Sequence, residues 1–168
     1  MFFGDRLKDL IDLLALKDVQ RAGWVRVGIT QPESVAAHSW GMLLLASVLT
    51  PSGLNKERIF LMCITHDLPE IEAGDITPFD NISKSEKQKL ESQAADKILS
   101  NRPVLFEAWN EYMENITPES QFVHALDKLD MALQAKRYSS IANTDEFIKS
   151  ALQHLPEKWK VGFNLEAN

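Results

Sequence analysis

Apolar residues recur at helical spacing along this chain, and no stretch shows a convincing strand alternation. Leu7, Leu10, Ile11 and Leu14 lie three and four apart and predict a first helix over roughly residues 4–19. Residues 21–32 hold Gly23, Gly28, Thr30 and Pro32 and predict a loop. Ser34 can cap a second helix that runs through His38 to about Leu49, where Pro51-Ser52-Gly53 ends it. Asn55 can cap a third, carrying Ile59, Phe60, Met62, Cys63 and Ile64 up to His66-Asp67; Pro69 stops or kinks it. Gly74, Pro78 and Asn81 mark an irregular segment, after which the capping box Ser83-x-x-Glu86 opens a polar helix to about Ser100. Val104, Leu105, Ala108, Trp109 and Tyr112 form the next stripe. Thr117-Pro118 opens a long helix to about Tyr138, and Thr144 is the expected cap of a last short helix ending before Pro156. The expected fold is all-α, one domain spanning residues 1–168.

Charge and cysteine usage narrow the function classes. The 168 residues carry a net charge of -6 without a Lys/Arg block, which argues against long nucleic acid as a partner. A small phosphorylated metabolite stays open, because one metal ion and one or two basic residues neutralise it locally. Cys63 is the only cysteine, so no disulfide forms within the chain; a reducing compartment fits, with Cys63 packed in the core. Met1-Phe2-Phe3 is too short an apolar stretch for a secretory signal, and Leu43-Leu44-Leu45 opens a window well short of a span of roughly 20 residues. The chain is expected in the cytoplasm, with no membrane partner.

Against this background one pair carries chemistry: His66-Asp67, at the end of an apolar helix. Neighbours on a helix point about 100° apart, yet both reach one ion where the helix loosens. Imidazole nitrogen and carboxylate oxygen both suit a divalent transition metal. Two other segments offer similar groups. His38 alone reads more often as a satisfied core or boundary histidine than as a ligand. Asp127 and Asp130 share a helix face and could pair in solvent with Lys128 or Lys136. Ala125, Leu126, Leu129 and Leu133 argue that this helix is partly buried, and a buried aspartate needs a partner or a cation.

The order His38, His66-Asp67, Asp127 across helices resembles the HD-domain superfamily of metal-dependent phosphohydrolases. Pro32-Glu33-Ser34-Val35-Ala36-Ala37-His38, His66-Asp67-Leu68-Pro69-Glu70, Gly74-Asp75-Ile76-Thr77-Pro78, Lys84-Ser85-Glu86-Lys87 and the run from Leu126 to Ala135 are similar to its 5'-deoxynucleotidase branch. The matching segments span about residues 21–138. The resemblance implies an HD-type helical bundle in which His38, His66, Asp67 and Asp127 ligate one divalent ion. Mn, Co, Fe, Ni and Zn all suit that mixed donor set. Asp130 is then expected at the surface or, less favoured, behind the ligands. His124 and His154 match no ligand position and are expected to be structural or solvent-exposed.

Phosphate monoesters hydrolyse extremely slowly unaided, so such an enzyme needs a metal to polarise the phosphoryl group and carboxylates to move protons. The resemblance places Glu70 on the water side and Asp75 near the leaving 5'-oxygen. In the same branch an Arg-Trp element contacts substrate and helps exclude a ribose 2'-hydroxyl. Trp24 holds the tryptophan position here, but Gly23 precedes it and the nearest basic residues are Arg21 and Arg26. Arg21 and Trp24 are the expected substrate contacts, whereas Lys84 is expected to be solvated. The implied activity is hydrolysis of deoxynucleoside 5'-monophosphates to deoxynucleoside and phosphate, in a homodimer as is common in the family. One alternative is an HD hydrolase of another phosphorylated metabolite or nucleotide. The chain is short for those larger relatives and lacks the Gly-Tyr-Pro signature of cyclic-dinucleotide hydrolases. The other is a non-catalytic, metal-bound regulatory module, against which the full ligand set with Glu70 and Asp75 argues.

Overall fold

A computed structural model describes Leu7 and residues 10–162, the last two by backbone only. Residues 10–13 are helical and tighten into a 3-10 turn at Leu14–Lys17. The start of the expected first helix, from residue 4, lies outside the described residues apart from Leu7. Among the described residues nine α-helices follow: α1 Ala22–Arg26, α2 Val35–Leu49, α3 Lys56–Thr65, α4 Glu70–Ala73, α5 Lys84–Leu99, α6 Pro103–Glu114, α7 Pro118–Tyr138, α8 Asp145–His154 and α9 Glu157–Gly162. Among the described residues there is no strand, only one isolated antiparallel bridge between Gln20 and Ser34. No helix among them is long and apolar enough to cross a membrane.

The caps read from local sequence form as chemistry dictates. The side chains of Ser34, Asn55, Ser83 and Thr117 accept from the backbone N–H groups of Ala37, Arg58, Glu86 and Ser120, satisfying donors that a helix start leaves unpaired. Three expectations fail. Residues 21–32 are not all loop, because Ala22–Arg26 is helical. That short helix is held by tertiary contacts, the Asp75 carboxylate at the Ala22 N–H and the burial of Trp24, which local composition does not reveal. Thr144 does not cap α8 with its side chain; its Oγ1 donates to the Ala135 carbonyl on α7 at 2.8 Å. A further helix, α9, also lies beyond Pro156.

α3 sits at the centre, packed on α2, α6 and α7. Met42 and Ala46 of α2, Ile59, Met62 and Cys63 of α3, and Leu126, Leu129 and Ala132 of α7 form a continuous core. Ile59, Leu126 and Leu129 are fully buried, each contributing on the order of 2 kcal/mol through removal of apolar surface from water. Because α2 and α7 both lie against α3, His38, His66 and Asp127 converge at one end of this core. The segment carrying Arg21 is clipped alongside by Val35 N–H to Val19 O at 2.8 Å and Arg21 N–H to Glu33 O at 3.2 Å.

Candidate metal centre

His66 terminates α3 as its C-cap, and Asp67 lies in the turn before α4. Leaving the helix there frees both side chains to face the same point. One ligand atom each from His38, His66 and Asp67 lies within 4.8 Å of the others. His66 Nε2 is 3.0 Å and His38 Nε2 4.0 Å from Asp67 Oδ2, and His38 Nε2 is 3.3 Å from Asp127 Oδ1.

The far side of each imidazole is engaged. His66 Nδ1 is 3.1 Å from the Cys63 carbonyl, so it donates and leaves the Nε2 lone pair inward. His38 Nδ1 is 2.7 Å from Asp130 Oδ2. Both Nε2 atoms are buried without a hydrogen-bond partner, as is Glu70 Oε2. Buried polar atoms are ordinarily paired. Two inward-facing imidazole nitrogens set against two carboxylates therefore fit a divalent transition metal, with His38, His66, Asp67 and Asp127 the residues that could hold it.

Electrostatics agree with that fit. Burial pushes the Asp67 carboxyl up, but His66, His38 and Arg21 outweigh it and hold the pKa at about 2. Asp127 is likewise held well below the carboxylate range, burial being overcome by Lys128 and His38. For His38, burial and Arg21 lower the pKa, yet Asp127 and Asp130 raise it to about 9. The carboxylates thus favour positive charge at the point the imidazoles face.

A cavity of about 800 Å³ opens beside this cluster, lined by Arg21, Trp24, Glu70, Asp75 and Asp127 among others. Glu70, at the start of α4, is only 8% exposed. Its pKa is pushed up to about 10, by burial first and then by Asp67 and Asp75. Asp75 follows Gly74, whose φ of 75° turns the chain inward, and one carboxylate oxygen accepts the Ala22 N–H at 2.7 Å. Asp75 therefore anchors the Arg21 segment as well as lining the cavity. Arg21 reaches 3.7 Å from Asp67 Oδ2.

Trp24 is 1% exposed, its ring packed near Tyr138 and Phe147 and its Nε1–H donated to Glu33 Oε1 at 2.9 Å. It can meet a ligand only through its ring, as a wall. Gly23, which stands where the resemblance expects arginine, leaves room for Phe147: an added Cβ would sit 3.1 Å from that ring. Arg21, two residues earlier, and Arg26, three residues later, both line the cavity, and Arg21 is the one beside Asp67.

Asp130 corrects an expectation, since it faces His38 rather than bulk solvent. Its spacing of three from Asp127 on α7 carried that signal, because residues at i and i+3 share a face. Glu33 had no such signal: one of its carboxylate oxygens lies within 4.8 Å of ligand atoms of His38 and Asp130. Lys128 pairs with Asp127 at 2.9 Å, while Lys84 is exposed at the cavity edge. His124 lines the cavity but is structural in its contacts, 2.9 Å from the Tyr112 carbonyl and stacked on the Tyr112 ring. His154 is exposed, its Nδ1 2.8 Å from the Ser150 carbonyl. Cys63 is buried in the core, and burial pushes its thiol up to about 12.

An all-α bundle with a His/His-Asp/Asp cluster at the junction of its central helices defines a recognisable class, and a family model described as HD domain matches residues 13–160. The chain belongs to the HD-domain family. It is 37% identical over 149 residues to the Homo sapiens protein named 5'-deoxynucleotidase HDDC2, covering 83% of this chain and 73% of that one. It is also 35% identical over 143 residues to the Schizosaccharomyces pombe protein named 5'-deoxynucleotidase hdd1, covering 80% and 72%. Among solved structures, a Pyrococcus horikoshii OT3 protein superposes with a TM-score of 0.78 at 32% identity, covering 95% of each chain.

Proposed function

We propose that this protein is a metal-dependent phosphomonoesterase that hydrolyses deoxynucleoside 5'-monophosphates to deoxynucleoside and phosphate. The observation that carries the reading is the pair of buried, unpartnered Nε2 atoms of His38 and His66 facing Asp67 and Asp127 at the wall of a cavity. Membership of the HD-domain family and the likeness to proteins named 5'-deoxynucleotidase support it.

His38, His66, Asp67 and Asp127 would hold one divalent ion, with Mn, Co, Fe, Ni and Zn as candidates. Such an ion supplies Lewis-acid polarisation of a phosphoryl oxygen and lowers the pKa of a water molecule. Arg21 then provides positive charge for the phosphate, beside Asp67. Glu70 takes the proton of the attacking water. In the metal-free protein burial, Asp67 and Asp75 keep a proton on Glu70; it would act as a base once the positive charge of the bound ion favours its carboxylate form. Asp75, across the same cavity, delivers a proton to the departing 5'-oxygen. The Trp24 ring narrows the cavity where a sugar would lie, and a 2'-hydroxyl against that wall would find the indole N–H already engaged by Glu33. Binding and excluding groups thus come from one short segment, Arg21 to Trp24.

A cytoplasmic location and a homodimer belong to the same proposal. The lone buried thiol of Cys63 supports the first. For the second, Trp40, Leu44 and Val48 lie four residues apart on the outer face of α2, 64%, 51% and 76% exposed, an apolar stripe suited to a second copy.

Phosphate release from matched dAMP and AMP panels, after metal stripping and reloading with Co, Mn or Zn, tests the activity. Metal-dependent release confined to deoxynucleotides is the expected result. Equal activity on both sugars removes the selectivity assigned to Trp24. No release from either sugar with metal bound removes the nucleotidase reading.

A further inference from the structure

Phe79 is an aromatic ring left half in water where it lines the cavity, 56% exposed. One face is occupied: the Arg26 guanidinium carbon stands 3.8 Å from the ring centroid. Arg26 is itself held by an ion pair with Glu146 of α8 and lies 5.8 Å from the Phe147 ring. The ring's exposure therefore belongs to the part that Arg26 does not cover.

The loop that presents Phe79 is braced. Thr77 donates from its backbone N–H and its Oγ1 to Asp80 Oδ2, at 2.6 and 2.8 Å. Lys87 Nζ donates to the Ile76 carbonyl at 2.7 Å, and Asp75 is tied to Ala22. A braced loop holding an exposed aromatic ring is a surface for a flat ligand. The cavity it borders is the one lined by His66, Asp67 and Arg21, where the phosphate reading places the other end of the substrate.

Resting on the nucleotidase reading, we propose that Phe79, backed by Arg26, is the platform on which the nucleobase stacks. A guanidinium on one face of the ring and a heteroaromatic base on the other make a three-layer stack, in which both contacts use the ring's π surface. Every base has a π face, so the platform favours nucleotides over sugar phosphates without selecting strongly among bases, and purines gain more than pyrimidines through their larger area.

The test compares wild type, Phe79→Ala and Phe79→Trp on dAMP and on deoxyribose 5-phosphate, which has no base. The expected result for Phe79→Ala is a KM preference for dAMP over deoxyribose 5-phosphate lowered on the order of 10-fold. Phe79→Trp restores that preference. A deoxynucleotide carrying 2-aminopurine, quenched when stacked, loses its quenching on Phe79→Ala. An unchanged KM preference, or quenching that survives in Phe79→Ala, overturns the platform while leaving the nucleotidase reading intact. Wild type that hydrolyses no nucleoside monophosphate overturns that reading and the platform with it.

Discussion

His38 on α2 is held by Asp130 on α7 through a 2.7 Å contact between Nδ1 and Oδ2. Room for that carboxylate comes from Gly41, one turn beyond His38, where a Cβ would overlap Asp130. A carboxylate behind a histidine fixes the tautomer and orients the ring, so its loss weakens a metal site without removing a ligand. Asp130→Ala is expected to lower Co or Mn affinity by roughly 10–100-fold. The same change costs about 1–3 kcal/mol of stability, because Nδ1 is left buried and unpaired. Asp130→Asn recovers most of the affinity, since its amide oxygen still accepts. Calorimetric metal titration checks both variants, and unaltered affinity in Asp130→Ala would sink the positioning role.

Gly41→Ala reaches the same contact from the other side. The added methyl must displace Asp130, so metal affinity falls with it although residue 41 offers no ligand atom. A Gly41→Ala protein that binds metal as wild type does would mean that α2 and α7 separate at little cost.

Glu70→Gln separates ligand from proton acceptor. The substitution is nearly isosteric and leaves His38, His66, Asp67 and Asp127 in place, so metal binding should persist. Turnover should fall by about 10²–10⁴-fold, the range for loss of a positioned general base. Full turnover with metal bound would show that another group activates the water.

The raised pKa of Glu70 also has a consequence for stability. Unfolded, the carboxyl releases its proton near its ordinary 4.5; folded, it keeps the proton up to about 10. Between those values the native state binds more protons than the unfolded state, so this group's contribution to stability falls as pH rises. The slope is at most about 1.4 kcal/mol per pH unit. Denaturant midpoints of the metal-free protein at pH 6 and pH 9 should therefore drop further for wild type than for Glu70→Gln. Parallel behaviour of the two proteins would contradict the buried, proton-holding carboxyl.

Where the controlling chemistry is local, the sequence was legible. Ser34, Asn55, Ser83 and Thr117 cap their helices because each cap needs only the next three residues. The cluster of His38, His66-Asp67 and Asp127 was legible through the resemblance to the HD-domain superfamily, and His38 and Asp127 meet the end of α3 because α2 and α7 pack on it. What escaped depends on distant partners. Helix α1 forms on an anchor 53 residues away, Asp75. Thr144 turns from the cap it resembles to the Ala135 carbonyl of another helix. Asp127 and Asp130 sit near one another in sequence, yet which ring nitrogen of His38 each carboxylate meets is decided by the approach of α2 to α7. Phe79 gave no signal at all, as one aromatic residue in an irregular loop reads the same whether it faces a cavity or a core.

The most direct test of the central claim pairs metal stoichiometry with phosphate release from dAMP, in wild type and in Asp67→Ala. Wild type should bind one divalent ion and release phosphate only when loaded, while Asp67→Ala stays folded and loses both. Sustained release by Asp67→Ala, or an ion bound as tightly without that carboxylate, would contradict the account.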